Sequence, residues 1–315
     1  MQLLTPIRAV MGVATIAIST LLVFPVNALA QSNTVTATQD APDSDDKYNA
    51  YVKAFNAVAS MFYGGTKGMP DLLTKFKAQN LANRASSSGG EPTLYMNTSM
   101  LRNSVDALRI GVSIADSGPY AELDAAAKAM FANGEPLLRL SRQLEDYVTS
   151  KKYLEDDFAR GRAMDPPYVA GWAKFIEDHD RMGEALETAA RASRVARIGS
   201  LRGAKENLRA AAAETMLYSS DLIDAFSEPS DFRSKDKTAV GDPLAKKLEK
   251  SIEEVRELAQ SDDRNASGYD SLADDMSELL GRYRTLKSSM FPSQKDFDEL
   301  IDRYNRAIRV SNRLP

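Results

Sequence analysis

Apolar residues recur every three or four positions through almost the whole chain after residue 46, and sustained alternation of apolar and polar residues is absent. This spacing places apolar side chains on one face of an α-helix, whereas a half-buried strand needs alternation. Spacings of three then four, sustained over twenty or so residues, are those of helices that pack knobs-into-holes. The sequence therefore predicts an all-α fold, an antiparallel bundle of about seven to eight helices.

The predicted helices follow these apolar seams and end at glycine, proline or polar segments. The third helix, over about 119–162, contains Pro136, and we expect that proline to kink or break it. Asp165-Pro166 is typical of an N-cap followed by proline, so we expect a fourth helix over about 166–197. The other predicted helices span about 46–63, 96–116, 203–226, 243–260, 268–290 and 294–312, and a short piece from Pro70 to about Leu81 follows the first of them.

The first thirty residues have the pattern of a Sec-type signal peptide. Arg8 is followed by an apolar run from Ala9 to Phe24, and Ala28-Leu29-Ala30 places small residues where signal peptidase acts. We therefore expect cleavage after Ala30. The run is short for a membrane anchor, which needs about 20 residues. No other run in the mature chain approaches that length, so we expect a periplasmic or secreted protein without a transmembrane segment.

The rest of the chain divides into a polar segment and a long helical region. Residues 31–46 carry four Asp and no basic residue, and we expect a disordered tether because the segment has too little apolar surface to fold. Residues 47–315 form the predicted helical bundle domain. A polar stretch at 227–242 leaves open a weak subdivision of this domain, and with it the presence of one core or two.

Composition excludes several classes of chemistry. The chain has no Cys and one His, which excludes disulfides, thiolate metal sites and any site that needs two imidazoles. A net charge of −4 argues against binding of bulk nucleic acid. The sequence contains neither a P-loop nor a G-x-S-x-G motif. We therefore assign no cofactor, no metal and no catalytic residue, and we favour a non-enzymatic protein without excluding an enzyme.

Two polar residues interrupt apolar seams. His179 lies in the seam of the fourth helix with no second metal ligand at helical spacing, which favours a hydrogen-bonded core histidine. Lys151 interrupts the seam of the third helix, and both residues are 13 positions from the expected turn. One hypothesis is that Lys151 and His179 share a polar layer inside the bundle. The alternative is that Lys151 extends its amine to water.

Further binding candidates lie close to Lys151 in the sequence. They are Tyr147, Tyr153 and Asp156, residue types that line sugar-binding or peptide-binding grooves, although seam tyrosines are more typical of a bundle core with each hydroxyl at its rim. Asp156 and its neighbour Asp157 cannot form a catalytic pair alone, because adjacent residues on a helix do not face each other. Met290 is expected in the core, as a filler of the seventh helix.

A basic segment stands out in this acidic protein. Such a patch can meet anionic lipid or a cell-wall polymer, or it can be a solvated face with pairs such as Glu187–Arg191 and Arg202–Glu206 at helical spacing. The cations assigned to it are Arg191, Arg194, Arg197, Arg202, Lys205 and Arg209.

Three blocks of the sequence resemble the YiiG-like family of exported bacterial proteins, a domain of unknown function. They are Lys47-Tyr-Asn-Ala-Tyr-Val-Lys-Ala-Phe-Asn56, the block from Tyr147 to Gly161 that contains Asp156-Asp157-Phe158, and Asp298-Glu-Leu-Ile-Asp-x-Tyr304-Asn305. The resemblance covers roughly Lys47 to Asn312. It implies an all-α fold and an envelope location, and no activity. Family members are often lipid-anchored, whereas this chain lacks the cysteine that carries the lipid.

The function expected from the sequence is therefore a binding or structural role in the bacterial cell envelope. The partner expected is a protein, an anionic lipid or a wall component. The alternative is a small-molecule carrier with an inter-helical cavity near Lys151 and His179. A third hypothesis is an enzyme that relies on carboxylate, Lys and Tyr side chains alone.

Overall fold

The computed structural model describes residues 44–59, 61, 68–85, 90–115, 120–261 and 266–314. The predicted signal peptide lies outside the described residues, as does the expected tether up to residue 43. Residues 44–46, the end of that expected tether, belong instead to the first helix.

The described residues form nine α-helices and no strand, which confirms the predicted all-α class and is close to the predicted number of helices. Short 3-10 turns lie at Leu81–Asn83, Lys152–Leu154 and Pro229–Arg233. The α-helices are α1 Ser44–Ala59, α2 Met69–Ala78, α3 Thr98–Ser113, α4 Ala121–Thr149, α5 Ala159–Gly203, α6 Asn207–Asp224, α7 Lys235–Gln260, α8 Ala266–Ser288 and α9 Gln294–Ser311. None of these helices combines the length and the apolar character needed to cross a bilayer.

The chain divides into two compact units between Ala190 and Arg191. In the first unit, α1 packs on α3 and α3 on α4, around a core that includes Trp172. In the second unit, α6 packs on α7, α7 on α8 and α8 on α9, around a core that includes Tyr283. Each unit therefore has its own hydrophobic core, and the stretch 227–242 lies inside the second.

Ion pairs between neighbouring helices show how the helices of the second unit are aligned. Each step of three or four residues along α8 is matched by an equal step back along α9, so the two helices run antiparallel. The partners of successive α7 residues also run backwards along α8, although the steps are unequal, so α7 is antiparallel to α8 as well. The α8–α9 pairs are Asp275–Arg306, Glu278–Arg303 and Arg282–Glu299, at 3.0, 2.5 and 2.8 Å. The α7–α8 pairs are Asp242–Lys287, Glu249–Arg284 and Arg256–Asp274, at 2.6, 2.6 and 3.0 Å.

Pro136 does not break the third predicted helix, because α4 continues through it from Ala121 to Thr149. Proline removes one backbone donor from a helix interior and crowds the preceding turn. Burial on both sides offsets that cost: Met130, Leu137 and Leu138 are all at most 5% exposed. Tertiary packing therefore outweighs the local preference here.

The turn between the third and fourth predicted helices lies earlier than expected. The chain leaves α4 at Thr149 and enters α5 at Ala159, so the prediction of a turn near 162–166 is wrong. Asp165 and Pro166 lie inside α5 and do not cap it. The fourth predicted helix was expected to end near residue 197, whereas α5 continues to Gly203.

Candidate functional site

The turn between α4 and α5 brings together three of the predicted binding candidates. Tyr147 donates its hydroxyl to Asp156 Oδ1 at 2.6 Å. The ring of Tyr153 lies edge-on to that of Tyr147, with centroids 6.4 Å apart, and stacks on Phe158 at 4.8 Å. Both tyrosines are buried. The sequence block that suggested a binding site therefore forms the interior of a turn, which we name the α4–α5 turn and define as residues 150–158.

The backbone of the α4–α5 turn is unusual, and side chains hold it in place. Lys151, Asp157 and Phe158 have φ of 55°, 49° and 61°, a left-handed conformation that non-glycine residues adopt only when their surroundings enforce it. Asp156 Oδ2 accepts the backbone N–H of Arg160 at 3.1 Å. Arg162 donates to the carbonyl of Asp157 at 2.6 Å. These bonds explain why the turn ends α4 at Thr149, before the apolar seam does.

The hydrogen bond between Tyr147 and Asp156 also sets the protonation of both groups. Burial and the bond to Asp156 raise the pKa of Tyr147 to about 12. The bond from Tyr147 lowers the pKa of Asp156 below its ordinary value. The two groups therefore stay a phenol and a carboxylate near neutral pH. Glycine at position 161 lets the Tyr147 ring approach closely, because a Cβ there would lie 3.1 Å from Tyr147 Cε1 and the ring would have to shift by a few tenths of an ångström.

The structure does not bring Lys151 and His179 together. Lys151 lies exposed in the α4–α5 turn. His179 lies twenty residues after the start of α5, about 30 Å along the helix axis. The residue is 7% exposed, and its ring stacks on Phe55 with centroids 4.1 Å apart and places Nε2 3.3 Å from the Phe55 carbonyl oxygen. The polar layer expected between Lys151 and His179 is therefore not formed, because the turn that would have aligned them lies elsewhere.

Sequence reasoning missed a buried ionic cluster in the first unit, which we name the Lys47 cluster. Lys47 on α1 is 1% exposed and pairs with Asp124 on α4, with Nζ and Oδ1 2.5 Å apart. It also donates to the carbonyl of Ile114 at 2.9 Å. Tyr51 donates its hydroxyl to Asp124 Oδ1 at 2.5 Å, and Lys128 pairs with Oδ2 at 2.5 Å. The sequence signal was a lysine one helical turn before a seam tyrosine, at the expected start of the domain.

The Lys47 cluster keeps its carboxylate ionised. Burial alone would raise the pKa of Asp124, but hydrogen bonds from Lys128, Lys47 and Tyr51 lower it well below its ordinary value. Burial and the bond to Asp124 raise the pKa of Tyr51 in turn. A buried charge needs such partners, because an isolated one would cost several kcal/mol, on the order of a whole domain's net stability.

A second buried carboxylate, Asp178, lies beside His179 on α5. Its Oδ2 accepts a hydrogen bond from Asn133 Nδ2 at 2.6 Å. Its Oδ1 lies 3.1 Å from Lys174 Nζ and 3.6 Å from an Arg181 nitrogen. In the described parts of the chain, no three His, Asp or Glu side chains gather closely enough to hold a metal ion.

The basic segment is largely neutralised by carboxylates of the second unit. Arg191 binds Asp221 through two nitrogens, at 3.1 and 2.9 Å. Arg202 binds both Glu214, at 3.0 Å, and Glu254, at 2.6 Å. The expected pairs Glu187–Arg191 and Arg202–Glu206 are replaced by these longer-range contacts. The other cations of the segment are Arg194, which donates to Ser220, Arg209, which pairs with Glu206, and Arg197 and Lys205, which are exposed.

Two surface features carry exposed apolar side chains. A groove of about 520 Å³ between α1 and α3 is lined by Ala50, Ala107 and the 57% exposed Ile110. Between α8 and α9, Met290 and Phe291 are 71% and 83% exposed. The expectation that Met290 fills the core is wrong, because α8 ends at Ser288 and the seam does not extend past it.

Comparison with known proteins identifies the family but not an activity. Neither the curated proteins nor the solved structures contain a match to this chain. A family model described as a protein of unknown function, DUF3829, matches residues 43–291, which include the Lys47 cluster, the α4–α5 turn and helices α1 to α8. Because that match covers well over half of the sequence, the chain belongs to the DUF3829 family.

Proposed function

We propose that this chain is exported by a bacterial cell and acts in the envelope as a helical-bundle binding protein. The sequence supports export through the apolar run from Ala9 to Phe24 and the small residues at Ala28 and Ala30. The resemblance to the YiiG-like family supports the same location, and that assignment within the DUF3829 family stays a prediction.

The observation that carries the binding role is that the buried charged residues are bound to other side chains of the protein. Lys47 is committed to Asp124, Asp178 to Asn133, and Asp275 to Arg306. A catalytic acid or base must reach its substrate within hydrogen-bond distance. Each of these buried groups is instead bound to a side chain of its own unit, and in the case of Asp275 that side chain, Arg306, is itself exposed; this suits a stabilising role.

The exposed apolar residues point the same way. Clustered apolar side chains on a surface are typical of sites that contact a partner. Met290 and Phe291 project from the second unit, and Ile110 borders a groove in the first. A partner protein, an anionic lipid or a wall component is therefore the class of ligand that fits the proposal.

Fractionation and intact-mass measurement test export directly. The expected result is a periplasmic or secreted chain that begins at Gln31. Replacing Ala28 and Ala30 by lysine should retain the leader, because signal peptidase needs small residues there. Leu29→Gln is the matched control and should be processed normally. A wild-type chain that stays in the cytoplasm at full-length mass contradicts the proposal.

A search for bound material tests the binding role. Native mass spectrometry and crosslinking of the protein taken from its own compartment should reveal a partner or a lipid-bound population. Turnover of a substrate by the purified chain, abolished by Asp178→Asn without loss of fold, would replace the binding role by a catalytic one.

A further inference from the structure

The groove between α1 and α3 carries two opposite charges that pair with no described residue. Asp46, Asn49 and Lys53 line its α1 side at spacings of three and four, so they lie on one face of the helix. None of these three side chains forms a hydrogen bond or an ion pair with another described residue. Asp46 and Lys53 are about 10 Å apart along the helix axis. The α1 side of the groove therefore has a carboxylate near one end and an ammonium group near the other.

The floor between these two charges is apolar. Ala50 and Ala107 are 8% and 3% exposed, and Ile110 lies beside them on the α3 side with 57% of its surface exposed. The volume of about 520 Å³ is in the range of sites that hold small ligands. The groove therefore offers apolar contact surface between one acidic and one basic side chain.

Neighbouring charges do not compensate Asp46 or Lys53. Lys47, the next residue on α1, is buried and paired inside the first unit. The charged residues of α3 are not among those that line the groove, and two of them, Asp106 and Arg109, pair with each other at 2.7 Å. Asp46 and Lys53 are the charged residues of the lining, so a ligand in the groove meets one charge of each sign.

Buried hydrogen bonds fix the spacing of the two walls. Lys47 of α1 donates to the carbonyl of Ile114, immediately after α3, at 2.9 Å. Ser104 of α3 donates its hydroxyl to the carbonyl of Ala54 on α1 at 2.8 Å. Because these bonds exist without a ligand, the groove is preformed, and binding loses little conformational freedom of the protein.

We propose that this groove binds a short linear peptide with free ends, about three residues long. The peptide ammonium group contacts Asp46, its carboxylate contacts Lys53, and an apolar side chain packs on Ala50 and Ala107. Three extended residues span about 10 Å, which matches the separation of the two charges. A single amino acid is too short to reach both. The inference deepens the proposed function by naming a ligand class, and rests on it for the compartment.

The expected binding is weak and depends on both peptide ends. Ligands of about twenty non-hydrogen atoms in an open groove reach a Kd between about 0.01 and 1 mM. Each exposed ion pair strengthens binding about two- to five-fold. Salt screens both ion pairs and leaves the apolar contact, so affinity should fall with ionic strength.

Isothermal titration calorimetry tests the proposal. The full chain, with its N-terminus established by intact mass, is titrated with alanyl-leucyl-alanine and with the same tripeptide acetylated and amidated at its ends. We expect the free tripeptide to bind about four-fold more tightly, or better. Asp46→Asn and Lys53→Gln should each lower its affinity about two- to five-fold. Lys152→Gln, at an exposed lysine of the α4–α5 turn, is the matched control and should bind as the wild type does.

An exchange of the two charges separates ligand contact from a structural role. Asp46→Lys alone places two ammonium groups along the groove and should lower the affinity below that of Asp46→Asn. Combining it with Lys53→Asp restores one charge of each sign, so the peptide binds in the reversed direction. The affinity of this double variant should return to within about five-fold of the wild type. Circular dichroism checks that each variant is folded.

Four results would overturn the proposal. They are no binding of the free tripeptide at millimolar concentration, equal binding of the blocked tripeptide, unchanged affinity in both Asp46→Asn and Lys53→Gln, and a protein crosslinked at position 49 in the absence of tripeptide binding. The last result would make the groove a protein-docking surface. Because the assay uses purified protein, its failure leaves export standing, and a failure of export leaves peptide binding standing.

Discussion

Replacement of Gly111 by alanine tests whether the Lys47 cluster holds the Tyr51 ring in place. A Cβ at position 111 would lie 2.3 Å from Cε1 and 2.6 Å from Cδ1 of Tyr51. The ring has little room to move, because it is 0% exposed and its hydroxyl is bound to Asp124. Alanine must therefore displace the ring or separate α1 from α3.

The expected cost follows from three contributions. Overpacking of a core costs about 1–3 kcal/mol, and loss of the hydrogen bond to an ionised carboxylate costs about 1.5–3 kcal/mol. The higher helix propensity of alanine offsets about 1 kcal/mol of this destabilisation, because glycine is the poorer helix former. We expect Gly111→Ala to lower the free energy of unfolding of the first unit by about 1.5–5 kcal/mol.

Urea denaturation provides the measurement. Trp172 is the one tryptophan of the chain and is buried in the first unit, so its fluorescence reports the unfolding of that unit. The control is Gly281→Ala in α8, where a Cβ meets no atom within 4 Å. Followed by circular dichroism, that control should gain about 0.5–1 kcal/mol.

The outcome that refutes the reasoning is a Gly111→Ala protein at least as stable as the wild type. The Tyr51 ring would then have room that the structure does not show. Adding Tyr51→Leu to Gly111→Ala should cost less than the sum of the two single changes, because the smaller side chain relieves the overlap. Strict additivity would mean that the two positions do not interact.

Three further predictions concern single residues. Asp124→Asn should lower the free energy of unfolding at pH 7 by about 3–5 kcal/mol, because Lys47 loses its buried partner. Since the folded-state pKa of Asp124 is lowered, the stabilisation that its carboxylate provides is present above the unfolded pKa of about 3.9 and is lost as the pH falls further. Urea titrations at pH 7 and at low pH should therefore show that the free energies of unfolding of the variant and of the wild type converge at low pH. Arg202→Met should lower the thermal midpoint, because two partly buried carboxylates, Glu214 and Glu254, lose their shared cation at a cost of about 1–2 kcal/mol. Pro136→Ala should stabilise by about 1–3 kcal/mol in urea denaturation, because it restores a backbone donor inside α4 and removes the crowding of the preceding turn.

The helical class and many core positions could be predicted from the sequence. Burial of a helix face requires apolar residues at three- and four-residue spacing, and that requirement is visible without knowledge of partners. Leu272, Met276 and Leu279 lie in the predicted seam of α8 and are 0% exposed. Tyr283, one turn further, is 2% exposed. The apolar seam of a helix depends only on residues of that helix, and it correctly predicts which face of α8 is buried.

The α4–α5 turn shows where that signal fails. Leu154 and Phe158 continue the apolar spacing past Thr149, which predicted a longer third helix. In the structure Leu154 is 62% exposed, whereas Phe158 is buried in a left-handed conformation. The decisive contacts are the bonds of Asp156 to Tyr147 and to the backbone of Arg160. These bonds depend on a chain reversal, which periodicity alone cannot anticipate.

The ion pairs show a second limit. Helical spacing predicted that Arg191 and Arg202 would pair with glutamates of their own helix, whereas both bind carboxylates brought in by other helices. A pair within one exposed helix is worth about 0.3–0.5 kcal/mol. A contact between helices also needs the tertiary register, which the apolar seams do not specify.

A charged side chain that pairs with another residue of the protein stabilises the fold, whereas one without such a partner is available to a ligand. Lys47 is buried and bound to a carboxylate, so its charge stabilises the first unit. Arg202, which the sequence assigned to an exposed patch, is likewise held between two glutamates. Arg233 and Lys295 have no carboxylate partner among the described residues and flank exposed Phe291. A cation already bound inside the protein has little affinity left for an outside anion, so Arg202 is not available to bind one.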